Sequence, residues 1–289
     1  MRRASLISGA GIDQLVFSGG GTRCFWFGGF LEVVQAPLGL APKRIAGVSG
    51  GALSAACYIA GRERKLLSVM GAAFDGLDQN VRLDKFDEQE GVTPHQRIYR
   101  EVVSETLDAE AVETISAGPI FEVLLAHPPS TRFPKLSTAP MMLAYRLELA
   151  IRSNPHLGWP ELLGVRQVLA DGRQAARDGR LVDLICNAAV IPPVFNVQRW
   201  DGEHVIDGGM ASKAPIPHET SRRTLILLTR IYRNAPAQAE GRIYVMPSRE
   251  TPADKIDFTS REKIERTWEL GARDARRFLD GPGARLAHP

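Results

Sequence analysis

Apolar and polar residues fall into repeating blocks along this chain: a short apolar run, a glycine-containing turn, then a longer stretch with helical spacing. Gln14-Leu15-Val16-Phe17 ends in Ser18-Gly19-Gly20-Gly21 and leads to apolar residues at Phe27, Phe30, Leu31 and Val34. That order predicts strand, glycine loop and helix. The same order recurs in Ile45-Ala46-Gly47-Val48, Ser49, and the small and apolar residues of 50–60. Residues 62–127 read as mostly helical and charged, with a polar stretch at 84–96 forming an exposed loop or cap, and 141–149 reads as a strand. Further on, 181–190 reads as a small-residue helix stopped by Pro192-Pro193, and 194–197 and 204–206 as a strand pair around Asp201-Gly202. Two dense apolar strands, 224–228 and 243–246, precede a closing amphipathic helix at 260–279. Alternation of this kind predicts an α/β sheet with helices on both faces, in one domain spanning 1–289 with a variable helical insertion at about 61–130.

Composition sharpens this picture by exclusion. With 289 residues and 44% hydrophobic content the chain can bury a substantial core, and its 27 Gly and 19 Pro are spread without a repeat. The formal charge of +3 comes with no stripe of Lys and Arg, which argues against a nucleic-acid partner. Cys24, Cys57 and Cys186 are far apart and suit isolated buried thiols better than a disulfide framework or a metal site. Met1-Arg2-Arg3 lacks the uninterrupted apolar segment of a secretory signal, and no stretch approaches the length of a spanning helix. The expectation is a cytoplasmic protein whose membrane contact, if it has any, is peripheral.

Candidate chemistry is concentrated in three glycine-rich turns. Gly47-Val48-Ser49-Gly50-Gly51 is a G-x-S-x-G between a strand and a helix, where glycines on both sides of Ser permit a tight nucleophile elbow. Gly19-Gly20-Gly21-Thr22-Arg23 ends the preceding strand, and in a doubly wound sheet both loops open into the same crevice. Its spacing is not that of a nucleotide-binding loop. Freed backbone N–H groups there can face an oxyanion. A serine nucleophile needs a proton acceptor. None of the six histidines sits in a turn with a matching acid, whereas Asp207 ends a strand and is followed by Gly208-Gly209. Taken alone, an Asp-Gly-Gly is an ordinary turn.

Together the three motifs, in this order, resemble the patatin-like phospholipase family: a glycine-rich oxyanion loop ending in a basic residue, a G-x-S-x-G elbow and a late D-G-[GA]. The segment Asn187-Ala188-Ala189-Val190-Ile191-Pro192-Pro193-Val194-Phe195, Pro215, and the closing helix with Gly271-Ala272 extend the likeness, which is weakest at about 61–180. The resemblance implies a three-layer α/β/α sheet and a Ser–Asp dyad working without histidine, cofactor or metal. By it, Ser49 attacks an acyl ester, Asp207 takes the proton, the loop Gly19, Gly20 and Gly21 with Gly50 forms the oxyanion hole, and Arg23 fixes the loop or neutralises charge beside it. Gly47 and Gly51 shape the elbow. The implied substrate is a phospholipid or other acyl ester. Two departures stand out: Cys24 replaces the glycine usual after the basic residue, and Lys213 replaces an Asn before the Pro. Phe25-Trp26-Phe27 either lines an acyl channel or packs in the core. A Ser-His-Asp esterase and a lipid-binding protein without turnover are the competing readings.

Overall fold

The computed structural model describes residues 11–75, 95–128, 155–156, 164–192, 195–217, 223–232, 241–255 and 257–281. Five parallel strands form the centre of the sheet: β1 (Gln14–Phe17), β2 (Arg44–Val48), β3 (Ile120–His127), β7 (Thr224–Leu227) and β8 (Arg242–Val245), in the order β3-β2-β1-β7-β8. β1, β7 and nearly all of β2 and β8 are buried, as continuous apolar runs in a parallel sheet require. Alternate residues serve the two faces. Leu15, Phe17, Ile45, Phe121, Val123, Leu225 and Leu227 join the main core. Val16, Ala46, Ile226, Leu228 and Tyr244 pack on the other face with Ala214 and Tyr232.

Among the described residues the α-helices are α1 (Phe25–Leu38), α2 (Gly50–Ala60), α3 (Glu63–Asp75), α4 (His95–Thr106), α5 (Ala109–Ala117), α6 (Gly172–Arg177), α7 (Leu181–Asn187) and α8 (Arg261–Asp280). α1 ends where Gly39 adopts a left-handed cap, φ 56°. α8 crosses α1 at very short range. A Cβ on Gly29 would lie 1.9 Å from the Trp268 carbonyl oxygen, and one on Gly271 would lie 2.1 Å from that of Trp26. The crossing is keyed by polar contacts: Trp26 Nε1 donates to the buried Asp274 at 2.9 Å, and Trp268 Nε1 donates to Glu32 at 2.9 Å. The basic residues of α8 form a solvated, ion-paired face, with Arg266 on Glu262 and Arg273 on Glu269.

Three expectations change. Residues 120–127, read as part of a helical stretch, form the central strand β3; a run of eight residues is too short for its period to separate strand from helix. Antiparallel to β3 lies β4 (Arg166–Asp171), which its half-exposed, polar sequence concealed. The hairpin is shifted: its strands are β5 (Gln198–Trp200) and β6 (Glu203–Asp207), so Phe195 and Val197 precede the strand, and the polar Gln198 and Arg199 occupy its exposed edge. The expected strand at 141–149 and most of the loop at 84–96 lie outside the described residues. Among the described residues no helix is long and apolar enough to cross a membrane.

The register of β3 explains how the site is assembled. Its first half pairs with β2, ending at Val48 opposite Leu124, and its second half pairs with β6, which arrives from the opposite direction and ends with Asp207 opposite Leu125. Because β4 occupies the other edge of residues 122–127, β2 and β6 share one edge and meet end to end. The residue after β2 is Ser49.

Candidate active site

Ser49 has φ 56° and ψ −137°, a conformation rare for a residue with a side chain and characteristic of a strained strand-to-helix elbow. The flanking glycines are there for space. A Cβ on Gly51 would stand 2.3 Å from the Ser18 carbonyl oxygen and 2.6 Å from that of Phe17, and one on Gly47 would stand 2.7 Å from the Ala52 Cα. The turn presents the hydroxyl directly to the other strand end, where Ser49 Oγ donates to Asp207 Oδ2 at 2.8 Å. Asp207 is fully buried, and its second oxygen accepts the Gly209 amide at 2.7 Å. Burial and two hydrogen bonds hold the carboxylate in one orientation.

The glycine loop lies against the elbow. A Cβ on Gly50 would come within 2.9 Å of the Gly21 carbonyl oxygen, and one on Gly19 within 3.2 Å of the Ser49 Cβ. Gly21 itself is in the left-handed region, φ 58°, pressed against the Lys255 carbonyl. The Gly19 amide donates to the Lys213 carbonyl at 2.8 Å, so Gly19 anchors the loop rather than presenting an open donor. Gly21 and Gly50 begin helical turns and Gly20 is the residue capping one, positions whose N–H groups have no acceptor within the turn. Arg23 pairs with Asp254, and Thr22 donates to the carbonyl of the same residue, strapping the loop to the segment before α8. Thr229 Oγ1 donates to the Gly19 carbonyl at 2.8 Å, and the Thr229 amide donates to Ser18 Oγ at 3.1 Å.

With this geometry in hand, comparison with known proteins is direct. The sequence profile of patatin-like phospholipases matches residues 15–218, the stretch that contains the glycine loop, the elbow and the Asp-Gly-Gly turn. The chain belongs to the patatin-like phospholipase family. It is also similar to VipD from Legionella pneumophila, with 11% identity and a TM-score of 0.49 over 93% of this chain and 67% of VipD. No curated protein sequence matches it. The α/β sheet with flanking helices is the patatin fold, and the family is one of lipid acyl hydrolases.

Both departures from the patatin pattern have a physical outcome. Cys24 has φ −64° and ψ −16°, ordinary helical backbone, so no glycine is needed there. Its Sγ donates to the Ser18 carbonyl at 3.7 Å, and burial pushes the thiol well above its usual range despite the opposing pull of Lys255 and Arg23, so it stays protonated and inert. Lys213 is buried and donates its ammonium to the Gly209 carbonyl at 2.5 Å, bracing the turn that carries Asp207 while its own carbonyl holds Gly19. Two of the described histidines are engaged elsewhere: His127 Nδ1 contacts the His204 carbonyl at 3.0 Å, and His156 Nε2 contacts Tyr244 Oη at 2.9 Å.

Ser49 lines two pockets of different character. One is apolar, about 770 Å³ counted out to open solvent, with Phe25, Leu53, Met70, Phe195 and Phe258 in its wall. Of the aromatic triplet only Phe25 reaches it; Trp26 and Phe27 pack in the core, stacked with Phe30 and edge-on to Phe17 respectively. The other, about 310 Å³ on the same count, has the charged residues Asp207, Lys213, Arg230 and Lys255 in its lining. Lys255 stands on both, and sequence reasoning missed it because the 254–255 segment reads as an unremarkable polar turn.

Proposed function

We propose that this patatin-like protein is a metal-independent serine lipid acyl hydrolase in which Ser49 is the nucleophile and Asp207 the general base. The observation that carries the reading is the 2.8 Å hydrogen bond from Ser49 Oγ to a fully buried carboxylate at a strained elbow. An acyl chain lies in the apolar pocket with its ester carbonyl at the serine. As Oγ attacks the carbonyl carbon, its proton passes to Asp207, and the oxyanion forms beside the amides of Gly20, Gly21 and Gly50. Collapse of the tetrahedral intermediate breaks the ester C–O bond, and the alcohol departs with the proton from Asp207. Water then repeats the sequence on the acyl-enzyme, with Asp207 again accepting a proton, and releases the fatty acid with Ser49 restored.

Gly19, Gly47 and Gly51 set the loop and elbow geometry in this scheme, and Arg23 holds the loop through Asp254. What speaks for Asp207 rather than a histidine as base is its direct contact with Oγ, together with the other engagements of His127 and His156. The test is ester cleavage by Ser49→Ala and Asp207→Asn. Each is expected to lose at least about a thousandfold in kcat/KM with its circular-dichroism spectrum unchanged, and EDTA is expected to leave the parent rate intact. Hydrolysis near the parent rate in either variant defeats the dyad.

A further inference from the structure

The glycine loop beside Ser49 is gripped by a residue that has no part in the hydrolysis scheme. Thr229 is buried and lies beyond residues 15–218, the stretch that matches the patatin-like profile. Its hydroxyl donates to the Gly19 carbonyl at 2.8 Å and its amide to Ser18 Oγ at 3.1 Å. It stands two residues past the end of β7, and Leu228 between them donates its amide to the Val245 carbonyl at 2.8 Å. The grip is thus anchored on the parallel sheet.

The Gly19 carbonyl and the Gly20 amide belong to one peptide unit. Because that unit is planar and trans, its N–H points away from its C=O: the oxygen lies on the side of the Gly20 Cα, the N–H on the side of the Gly19 Cα. These two sides have different neighbours. On the oxygen side is Thr229, whose Oγ1 would be 2.4 Å from a Cβ on Gly20. On the N–H side is the elbow, since a Cβ on Gly19 would be 3.2 Å from the Ser49 Cβ. The Gly20 amide donates to no acceptor among the described residues, and Gly20 and Ser49 line the same pocket. The Gly19 amide is tied as well, to the Lys213 carbonyl at 2.8 Å.

We propose that Thr229 is a positioning residue for the reaction, on the reading of Ser49 as its nucleophile: by holding the Gly19 carbonyl it aims the Gly20 amide at the oxygen that becomes negative as Ser49 attacks. Without the hydroxyl the peptide between two glycines is free to rotate. An amide that must reorient during the reaction stabilises an oxyanion less than one already aimed. The wall of the apolar pocket does not include Thr229, so the acyl chain binds as before. The loss falls on kcat and leaves KM.

The experiment follows two readouts on the full chain: cleavage of p-nitrophenyl hexanoate, and inhibition by a pentyl trifluoromethyl ketone. Ser49 Oγ adds to the ketone carbon as its proton passes to Asp207, and the former carbonyl oxygen becomes an oxyanion. Thr229→Val keeps the shape of the side chain and removes the donor. It is expected to lose at least about tenfold in kcat, with KM within about twofold, and to bind the ketone more weakly by a similar factor. Thr229→Ser returns the hydroxyl and should recover most of both losses. Ser18→Ala leaves that hydroxyl in place but frees the Thr229 amide, and should lose about threefold in kcat with the same split; it carries the test should the valine variant not fold. Parent kcat and ketone affinity in Thr229→Val, or in Ser18→Ala where that variant stands in, overturn the proposal. So does a raised KM at unchanged kcat, or a loss in Thr229→Ser equal to that in Thr229→Val. In each of these cases the parent enzyme still cleaves the ester and the dyad stands, whereas a parent protein that cleaves no ester overturns the Ser49 assignment itself.

Discussion

The half of the site that carries Ser49, the proposed nucleophile, and the half that carries Asp207, the proposed base, are held in different ways. Ser49 sits in a parallel strand-turn-helix unit whose parts are contiguous in sequence, and glycines 47, 50 and 51 admit backbone and neighbouring loops at distances no side chain permits. Asp207 is brought in from the far end of the chain on an antiparallel hairpin strand that touches the sheet at only two residue pairs, Leu125 with Asp207 and Ala126 with Ile206. Its position then depends on a chain of single polar contacts. The Asp207 amide donates to the Val190 carbonyl at 2.7 Å, Lys213 holds Gly209, and the Lys213 amide donates to the Pro155 carbonyl at 2.9 Å. Exclusion of volume enters this half at Gly208, where a Cβ would lie 2.3 Å from the Leu124 carbonyl oxygen, but beyond that residue a relay of hydrogen bonds holds it, and the two halves should fail differently at Gly51 and Gly209.

The largest effect is expected on the nucleophile side. Gly51→Ala places a methyl 2.3 Å from the Ser18 carbonyl oxygen, where only backbone can yield. It should destabilise the protein by about 3 kcal/mol or more and remove activity with the fold, measured as a fall in urea midpoint. On the base side, Gly209→Ala meets only the Asp207 carboxylate at 3.0 Å, with no left-handed backbone to strain. Its cost is about 1 kcal/mol in stability. The rate should fall about tenfold because the carboxylate is displaced. Equal stability losses in the two variants would erase the distinction.

A pH dependence sharpens the comparison further. His156 adjoins Pro155, the acceptor for Lys213, and burial, with the nearby Arg242 charge, lowers its pKa from 6.5 to about 4. Above pH 6.5 the imidazole is neutral in both folded and unfolded chains and contributes nothing to pH dependence. As pH falls from 6.5 to 4 only the unfolded chain takes up the proton, so stability drops by about 3 kcal/mol at most and then levels off. Urea midpoints measured across that range should fall in the parent protein and fall less in His156→Gln. A variant that tracks the parent throughout removes His156 as the cause.

The same contrast governs what the sequence disclosed. β1, β2, β7, β8 and α8 are legible because each is a local pattern: a buried strand reads as an apolar run, and α8 carries helical periodicity behind a Ser260 cap. The elbow is legible because its glycines report short-range sterics. Asp207 is identifiable only by family resemblance, since an Asp-Gly-Gly turn by itself has no preferred meaning. β3 was hidden among helices because 120–127 is a short, mostly apolar run whose Glu122 breaks any clean period, and β5 was hidden because an exposed edge strand can be polar on most of its length. The end-to-end meeting of β2 and β6 along β3 is a long-range register that no local window contains. The cationic lining escaped for a similar reason: Lys213, Arg230 and Lys255 are scattered over the last third of the chain and meet only in the folded protein.

The proposed mechanism depends on Asp207 drawing the proton from Ser49, and the reaction of a fluorophosphonate with that hydroxyl reads this step without any assumption about the lipid. The labelling rate, followed by mass spectrometry of the peptide containing residue 49, should show a single adduct on Ser49 in the parent protein. In Asp207→Asn it should form at least about a hundredfold more slowly. An adduct on a different serine, or equal labelling rates in the two proteins, would contradict the account.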